Sequence, residues 1–141
     1  MRVAIGCDPN ADALKREVIA ELESLGHEVD DFGGDDPVYA NTILRVAEAV
    51  AAGDYDRGVV MCGTGLGASI AANKVPGADC ALLTDAYQAE RAQLSNNANL
   101  IALGAQVTGP KLARVLVRTY MANTYVPGGR KPLVAAPAMT I

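Results

Sequence analysis

Residues 59–67 read Val-Val-Met-Cys-Gly-Thr-Gly-Leu-Gly, a thiol at the end of an apolar run with three alternate glycines behind it. The run suits a buried strand. Gly63, Gly65 and Gly67 let backbone N–H groups turn toward a bound anion, because no Cβ blocks the approach. Cys62 and Thr64 then stand where a strand gives way to a helix. A nucleophile or base beside an anion cradle points to chemistry on a phosphorylated or enolisable small molecule. Two plainer readings stand beside it. Such a turn often only binds a phosphate, and a cysteine at a strand end often serves as a small core hydrophobe.

The elements that must position these groups alternate along the chain. Strands are expected at Arg2–Gly6, Glu28–Phe32, Arg57–Cys62, Cys80–Thr84 and Leu100–Leu103. Helical spacing marks Ala11–Leu25, Tyr39–Ala52, Gly67–Asn73 and Gly109–Asn123, with Pro110 at a tolerated early position. Asp85–Asn99 reads only as a polar stretch. This alternation predicts an α/β fold, a Rossmann-like three-layer αβα sandwich with a mainly parallel sheet. Ligands of such sheets bind outside the carboxyl ends of the strands. Three groups are expected there: Cys7-Asp8, Cys62–Gly67 and Ser95–Asn99. Residues 1–141 form one expected domain, with 125–141 an extended C-terminal tail that could reach another subunit.

Composition narrows the class. Half the residues are hydrophobic, but Phe32 and five tyrosines are the only aromatics, so the core must be aliphatic. A net charge of -4 disfavours a general nucleic-acid or membrane-surface role. No signal peptide or bilayer-length apolar run is expected. Cys7, Cys62 and Cys80 show no Cys-x-x-Cys spacing, which argues against a zinc site or disulfide framework and for a reducing cytoplasm. Cys7 and Cys80 read as core. The single histidine, His27, reads as a surface loop residue between helix and strand.

The motifs together resemble the family of ribose-5-phosphate isomerase B and the two subunits of galactose-6-phosphate isomerase. The matching residues are Ile5-Gly6-Cys7-Asp8, Gly26-His27-Glu28-Val29, Met61–Gly67, Ala72-Asn73-Lys74, Asn96 with Asn99, and Gly128-Gly129-Arg130. They run in the family order from residue 1 to about 131. The resemblance implies a dimer or tetramer with active sites at subunit interfaces. It also implies interconversion of aldose and ketose phosphates through an enediolate, with neither metal nor cofactor. Cys62 would be the base that moves a proton between C1 and C2. The N–H groups of Gly63, Gly65 and Gly67 would hold the oxyanion, with the Thr64 hydroxyl nearby. Asp8 would hold sugar hydroxyls, Asn96 would donate to the carbonyl oxygen from the same or a neighbouring chain, and Arg130 with Lys131 would serve the phosphate. Each has a structural alternative. Asp8 also suits a helix cap, Asn96 a turn, Thr64 a backbone bond, Lys74 a solvated helix end, and Arg130-Lys131 a charged tail.

The departures bear on substrate. Pro9, Asp36, Ser95, Lys131 and Val134 stand where the family usually has histidine, tyrosine, histidine, histidine and arginine. Ring-opening and phosphate contacts are altered while the Cys62 loop is kept. Three readings follow: an isomerase of a substrate that needs no ring opening, such as a tetrulose phosphate; the cysteine-bearing subunit of a hetero-oligomeric isomerase; or a sugar-phosphate binder without catalysis. A dinucleotide-binding protein is disfavoured, since Gly6–Ala11 lacks Gly-x-Gly-x-x-Gly.

Overall fold

A computed structural model describes residues 1–127. Five strands and five α-helices alternate: β1 (Arg2–Cys7), a 3₁₀ turn (Pro9–Ala11), α1 (Asp12–Ser24), β2 (Glu28–Asp31), α2 (Tyr39–Ala51), β3 (Arg57–Cys62), α3 (Leu66–Asn73), β4 (Cys80–Leu82), α4 (Ala86–Leu94), β5 (Leu100–Gly104) and α5 (Pro110–Ala122). The strands form one sheet in the order β2-β1-β3-β5-β4, and every pair is parallel. The expected sandwich is thus present, with a sheet that is parallel throughout.

Period-2 alternation assigns the two faces. Val3, Ile5 and Cys7 of β1, Val59 and Met61 of β3, and Ile101 and Leu103 of β5 meet α1, α4 and α5. Ala4, Val60, Cys62 and Ala102 face the other way, toward Ile43, Val46 and Ala47 of α2 and Ala68 and Ala72 of α3. Because both faces are covered, the central strands are apolar on both sides, which is why Arg57–Cys62 is buried at every position.

The polar stretch 85–99 contains a helix that spacing did not reveal. Asp85 caps it, its carboxylate accepting from the Gln88 N–H at 2.8 Å. Only Ala89, Ala92 and Gln93 are buried, too narrow a stripe to register as an amphipathic pattern. The first helix also starts later than expected. Pro9–Ala11 makes a 3₁₀ turn capped by Asp8, and α1 follows it. His27 is partly exposed at the turn before β2, where Nδ1 lies 3.0 Å from the terminal amine.

Ser95–Asn99 lies at the wrong end of the sheet for the expected site. Gly58 pairs with Leu100 and Cys62 with Gly104, so residues before Leu100 sit beside the amino end of β3. Four residues of strand separate that edge from Cys62, roughly 13 Å. Asn99 is structural there. Its side chain accepts from the Asp79 N–H and donates to the Gly77 carbonyl, both at 2.9 Å. Asn96, in the turn after α4, directs Nδ2 toward the Arg91 carbonyl at 3.4 Å. Within one protomer Asn96 does not join Cys62. Of the expected tail, Arg130 and Lys131 fall outside the described residues.

One buried cation ties the last helix to the sheet. Arg57 opens β3 and is 5% exposed. Its guanidinium donates to the carbonyls of Tyr120 (2.8 Å) and Asn123 (2.7 Å) at the end of α5. The Tyr120 carbonyl otherwise accepts only a long bond from the Asn123 N–H at 3.4 Å, and the negative end of the helix dipole favours a cation. The Tyr120 ring lies under the guanidinium, 4.8 Å from ring centre to Cζ. Arg57→Met would leave two acceptors poorly satisfied, at a cost of about 2 kcal/mol or more. Urea denaturation is expected to show a lowered midpoint with an unchanged slope, and an unchanged midpoint would refute this account.

Candidate active site

In a doubly wound sheet the ligand crevice opens where the chain switches direction, at the carboxyl ends of adjacent strands. Here β1 has β2 on one side and β3 on the other, so the switch lies between β1 and β3. Asp8 follows β1, and Cys62 ends β3. The Asp8 N–H donates to the Met61 carbonyl at 2.9 Å, which fixes the two strand ends together.

The turn from β3 into α3 is short and sterically closed. Gly65 takes φ +82°, the left-handed region that glycine tolerates. A Cβ there would also stand 2.6 Å from Leu82 Cδ1. This conformation aims the Gly65 N–H at Cys62 Sγ, 3.2 Å away. The Leu66 N–H donates to Thr64 Oγ1 at 3.2 Å. On the other side Gly104 presses against the loop, and a Cβ at Gly104 would come within 2.8 Å of Thr64 Cα. Backbone bonds from Ala105 to the Cys62 carbonyl (2.9 Å) and from Gln106 to the Gly63 carbonyl (2.8 Å) complete the clamp.

The three glycines therefore differ in role. The Gly65 N–H is committed to sulfur rather than to a free anion cradle. The N–H groups of Gly63 and Gly67 make no hydrogen bond among the described residues and remain available to a ligand. Gly67 stands in the first turn of α3, where N–H groups lack helical acceptors and the helix dipole favours negative charge. Thr64 is exposed. Its oxygen accepts from Leu66, as the backbone reading expected, and its hydroxyl proton stays free to donate. Asp8 likewise serves two ends. One carboxylate oxygen accepts from the Asn10 N–H at 2.8 Å, and the other makes no bond to a described residue.

Spacing alone did not reveal Tyr39. It opens α2, and its hydroxyl rests on Gly67, where an added Cβ would overlap it. Burial first, then the charges of Cys62 and Asp8, raise the phenol's pKa. It is therefore a neighbour of both groups. No local motif encodes that contact, which joins residues 39 and 67 through the fold. Gln106 is a second unexpected neighbour; its carboxamide lies over Gly63, 3.2 Å from where a Cβ would stand.

The other cysteines are chemically different. Cys7 is fully buried, and burial pushes its thiol up to about 11 despite the nearby Lys15 ammonium. Burial pushes Cys80 up to about 12. Both are protonated at neutral pH, which suits the core reading. Lys15 beside Cys7 is engaged with Asp31 (3.0 Å) and Asp12 (3.3 Å), pinning α1 to β2. Among the described residues no cluster of three or more His, Cys, Asp or Glu is placed to hold a metal ion, and no helix is long and apolar enough to cross a membrane.

A parallel α/β sandwich with a thiol and open N–H donors at its switch point defines a class of small-molecule enzymes that work without a nucleotide fingerprint. Comparison with known proteins gives the family. A profile described as ribose/galactose isomerase matches residues 3–134. A D-erythrulose-4-phosphate isomerase of Pectobacterium atrosepticum is 39% identical over 138 residues, covering 95% of this chain and 91% of that protein. A ribose-5-phosphate isomerase B of Listeria innocua is 41% identical over 133 residues, covering 92% and 89%. The solved structure of Clostridium thermocellum ribose-5-phosphate isomerase B superposes with a TM-score of 0.84 at 44% identity, covering 89% of this chain and 86% of that one. The chain belongs to the ribose/galactose isomerase family and is a sugar-phosphate isomerase of that family.

The thiol environments are testable by alkylation. Iodoacetamide at pH 7.5, followed by peptide mass spectrometry, is expected to modify Cys62 well before Cys7 or Cys80. Equal or faster labelling of Cys80 would contradict the assignment of Cys62 as the reactive thiol.

Proposed function

We propose that this protein interconverts an aldose phosphate and its ketose through an enediolate, with Cys62 as the base. The observation that carries this reading is the Gly65 N–H donating to Cys62 Sγ beside the open N–H groups of Gly63 and Gly67. An N–H bond to sulfur strengthens when the sulfur is ionised. Cys62 removes the proton from the carbon next to the carbonyl and returns it to the adjoining carbon, while the hydroxyl proton passes from one oxygen of the enediolate to the other. Charge develops on the carbonyl oxygen in that step. The Gly63 and Gly67 N–H groups and the Thr64 hydroxyl are the donors that offset it. The unengaged oxygen of Asp8 accepts from a sugar hydroxyl.

The preferred substrate in this reading is a tetrulose 4-phosphate or its aldose. Its terminal hydroxyl is esterified, so a five-membered ring cannot close and no ring-opening group is needed. Two features support this. Pro9 brings no donor to the turn after Asp8. Ser95, whose hydroxyl accepts from Arg91 Nε at 2.7 Å, carries no imidazole at the position where the family has its ring-opening histidine. The relative from P. atrosepticum, named for D-erythrulose 4-phosphate, is in keeping with it.

The reading also includes a homodimer or tetramer. Asn96 is remote from its own Cys62, so it serves a site only if another copy presents it. Arg130 and Lys131 are proposed as phosphate ligands of such a shared site.

Solvent-deuterium incorporation at C1 or C2, measured on four- to six-carbon sugar phosphates, tests the chemistry. The wild type is expected to exchange tetrose phosphates faster than ribose 5-phosphate. Cys62→Ala is expected to lose at least a thousandfold in rate with an unchanged fold. Near-normal exchange by this variant would end the proposal, and equal efficiency on ribose 5-phosphate would remove its substrate preference. Subunit sharing is tested by mixing Cys62→Ala with Asn96→Ala chains. A shared dimeric site predicts that inactive parents regain activity on mixing, up to about one quarter of wild-type sites. No recovery from a verified mixed oligomer would refute sharing.

A further inference from the structure

The Tyr39 phenol is a polar group at this site that the mechanism above leaves unused. It is partly buried at the start of α2, and its ring is held over the first turn of α3. The fit there is close: a Cβ on Gly67 would overlap the hydroxyl and lie 3.2 Å from Cζ. Yet the hydroxyl makes no hydrogen bond with any described residue, and among the described residues no fully buried side-chain polar atom is left without a partner. It therefore still reaches open space. A half-buried phenol in that condition is completed by water or by a ligand.

Its neighbours define what that ligand must be. Cys62 and Asp8 are close enough for their charges to act on the phenol. Both accept hydrogen bonds or protons. The Gly67 N–H beneath is a donor without an acceptor. A simple anion would meet repulsion from the Asp8 carboxylate. An apolar group would leave every one of these groups unsatisfied. A carbon chain carrying a carbonyl next to a hydroxyl satisfies them all, since it presents acceptors and a donor on adjoining carbons.

We infer that Tyr39 is a further substrate-contacting residue, its hydroxyl donating to the oxygen on the carbon beside the one Cys62 deprotonates. The inference takes the ligand's identity, an open-chain sugar phosphate, from the isomerase reading. The phenol lends a hydrogen bond and keeps its proton; burial and the two neighbouring charges hold it in the protonated form. The bond tightens as that oxygen gains charge, so it favours the transition state over bound substrate.

Tyr39→Phe removes the oxygen and little else. The expected result is a roughly 100-fold fall in kcat, the low end of what one donor to a developing oxyanion supplies, with a small change in KM. A packing role would behave differently, and a second pair of variants separates the two. Gly67→Ala should lower the melting temperature because its methyl overlaps the hydroxyl. Tyr39→Phe in that background should restore the melting temperature without restoring kcat.

A measurement independent of turnover completes the test. 3-Fluorotyrosine is incorporated into the Cys62→Ala protein, and the residue 39 resonance is assigned by its loss in Tyr39→Phe. That resonance is expected to move on titration with erythrulose 4-phosphate or ribose 5-phosphate and to stay fixed with inorganic phosphate. If the wild type proves inactive on every sugar phosphate while the resonance moves, the isomerase reading falls and the contact stands. Wild-type kcat and KM in Tyr39→Phe overturn the inference, as does a resonance unmoved by either sugar phosphate.

Discussion

The site depends on one constraint: a helix must begin within three residues of the strand that carries the thiol. β3 ends at Cys62, Gly65 caps α3, and α3 starts at Leu66. Reversing direction in so little chain requires a left-handed residue, and that same residue turns its N–H back onto the sulfur at 3.2 Å. The geometry of the turn and the electrostatics of the thiol are thus one feature. Any rearrangement that lengthened the turn would separate the sulfur from its donor and from the dipole of α3 together.

The rest of the fold can be understood as holding that turn in place. Apolar strands covered on both faces fix β3 between β1 and β5. Backbone bonds from Asp8 on one side and from Ala105 and Gln106 on the other then clamp the ends of β3. Burial supplies the driving force and the clamp supplies the register. Neither is sufficient alone: a one-residue slip turns every side chain to the other face, and in a sheet apolar on both faces that exchange costs less than it would with one face in water.

The strand-to-helix turn at Cys62 was legible from sequence because its backbone demands are written in nine adjacent residues. The sandwich was legible because helical and strand periods alternate. What escaped was information that is not local. α4 was obscured because its buried stripe is Ala89, Ala92 and Gln93, which carries almost no hydrophobic contrast. Asn96 was grouped with Cys62, although the parallel register of β5 beside β3 puts it at the opposite edge of the sheet. Sequence spacing cannot show which end of a strand a preceding loop will occupy until the order and direction of the strands are known. Tyr39 escaped for a similar reason, since its partner Gly67 lies 28 positions away and carries no side chain to advertise the contact.

The crowding around the loop divides the labour between positions. Gly65 faces Leu82, Gly67 faces Tyr39 and Gly104 faces Thr64, each so close that an added methyl group would force its neighbour to move. These positions are closed to elaboration, so none can acquire a new contact for a different sugar. Under the proposed function, a proton-transfer centre built this way would be a fixed fitting common to any substrate with a carbonyl beside a carbinol carbon. Recognition of chain length and of the terminal group must then be written elsewhere, in side chains that stand clear of the loop. Such a layout lets specificity drift by ordinary side-chain exchange while the reacting centre stays the same.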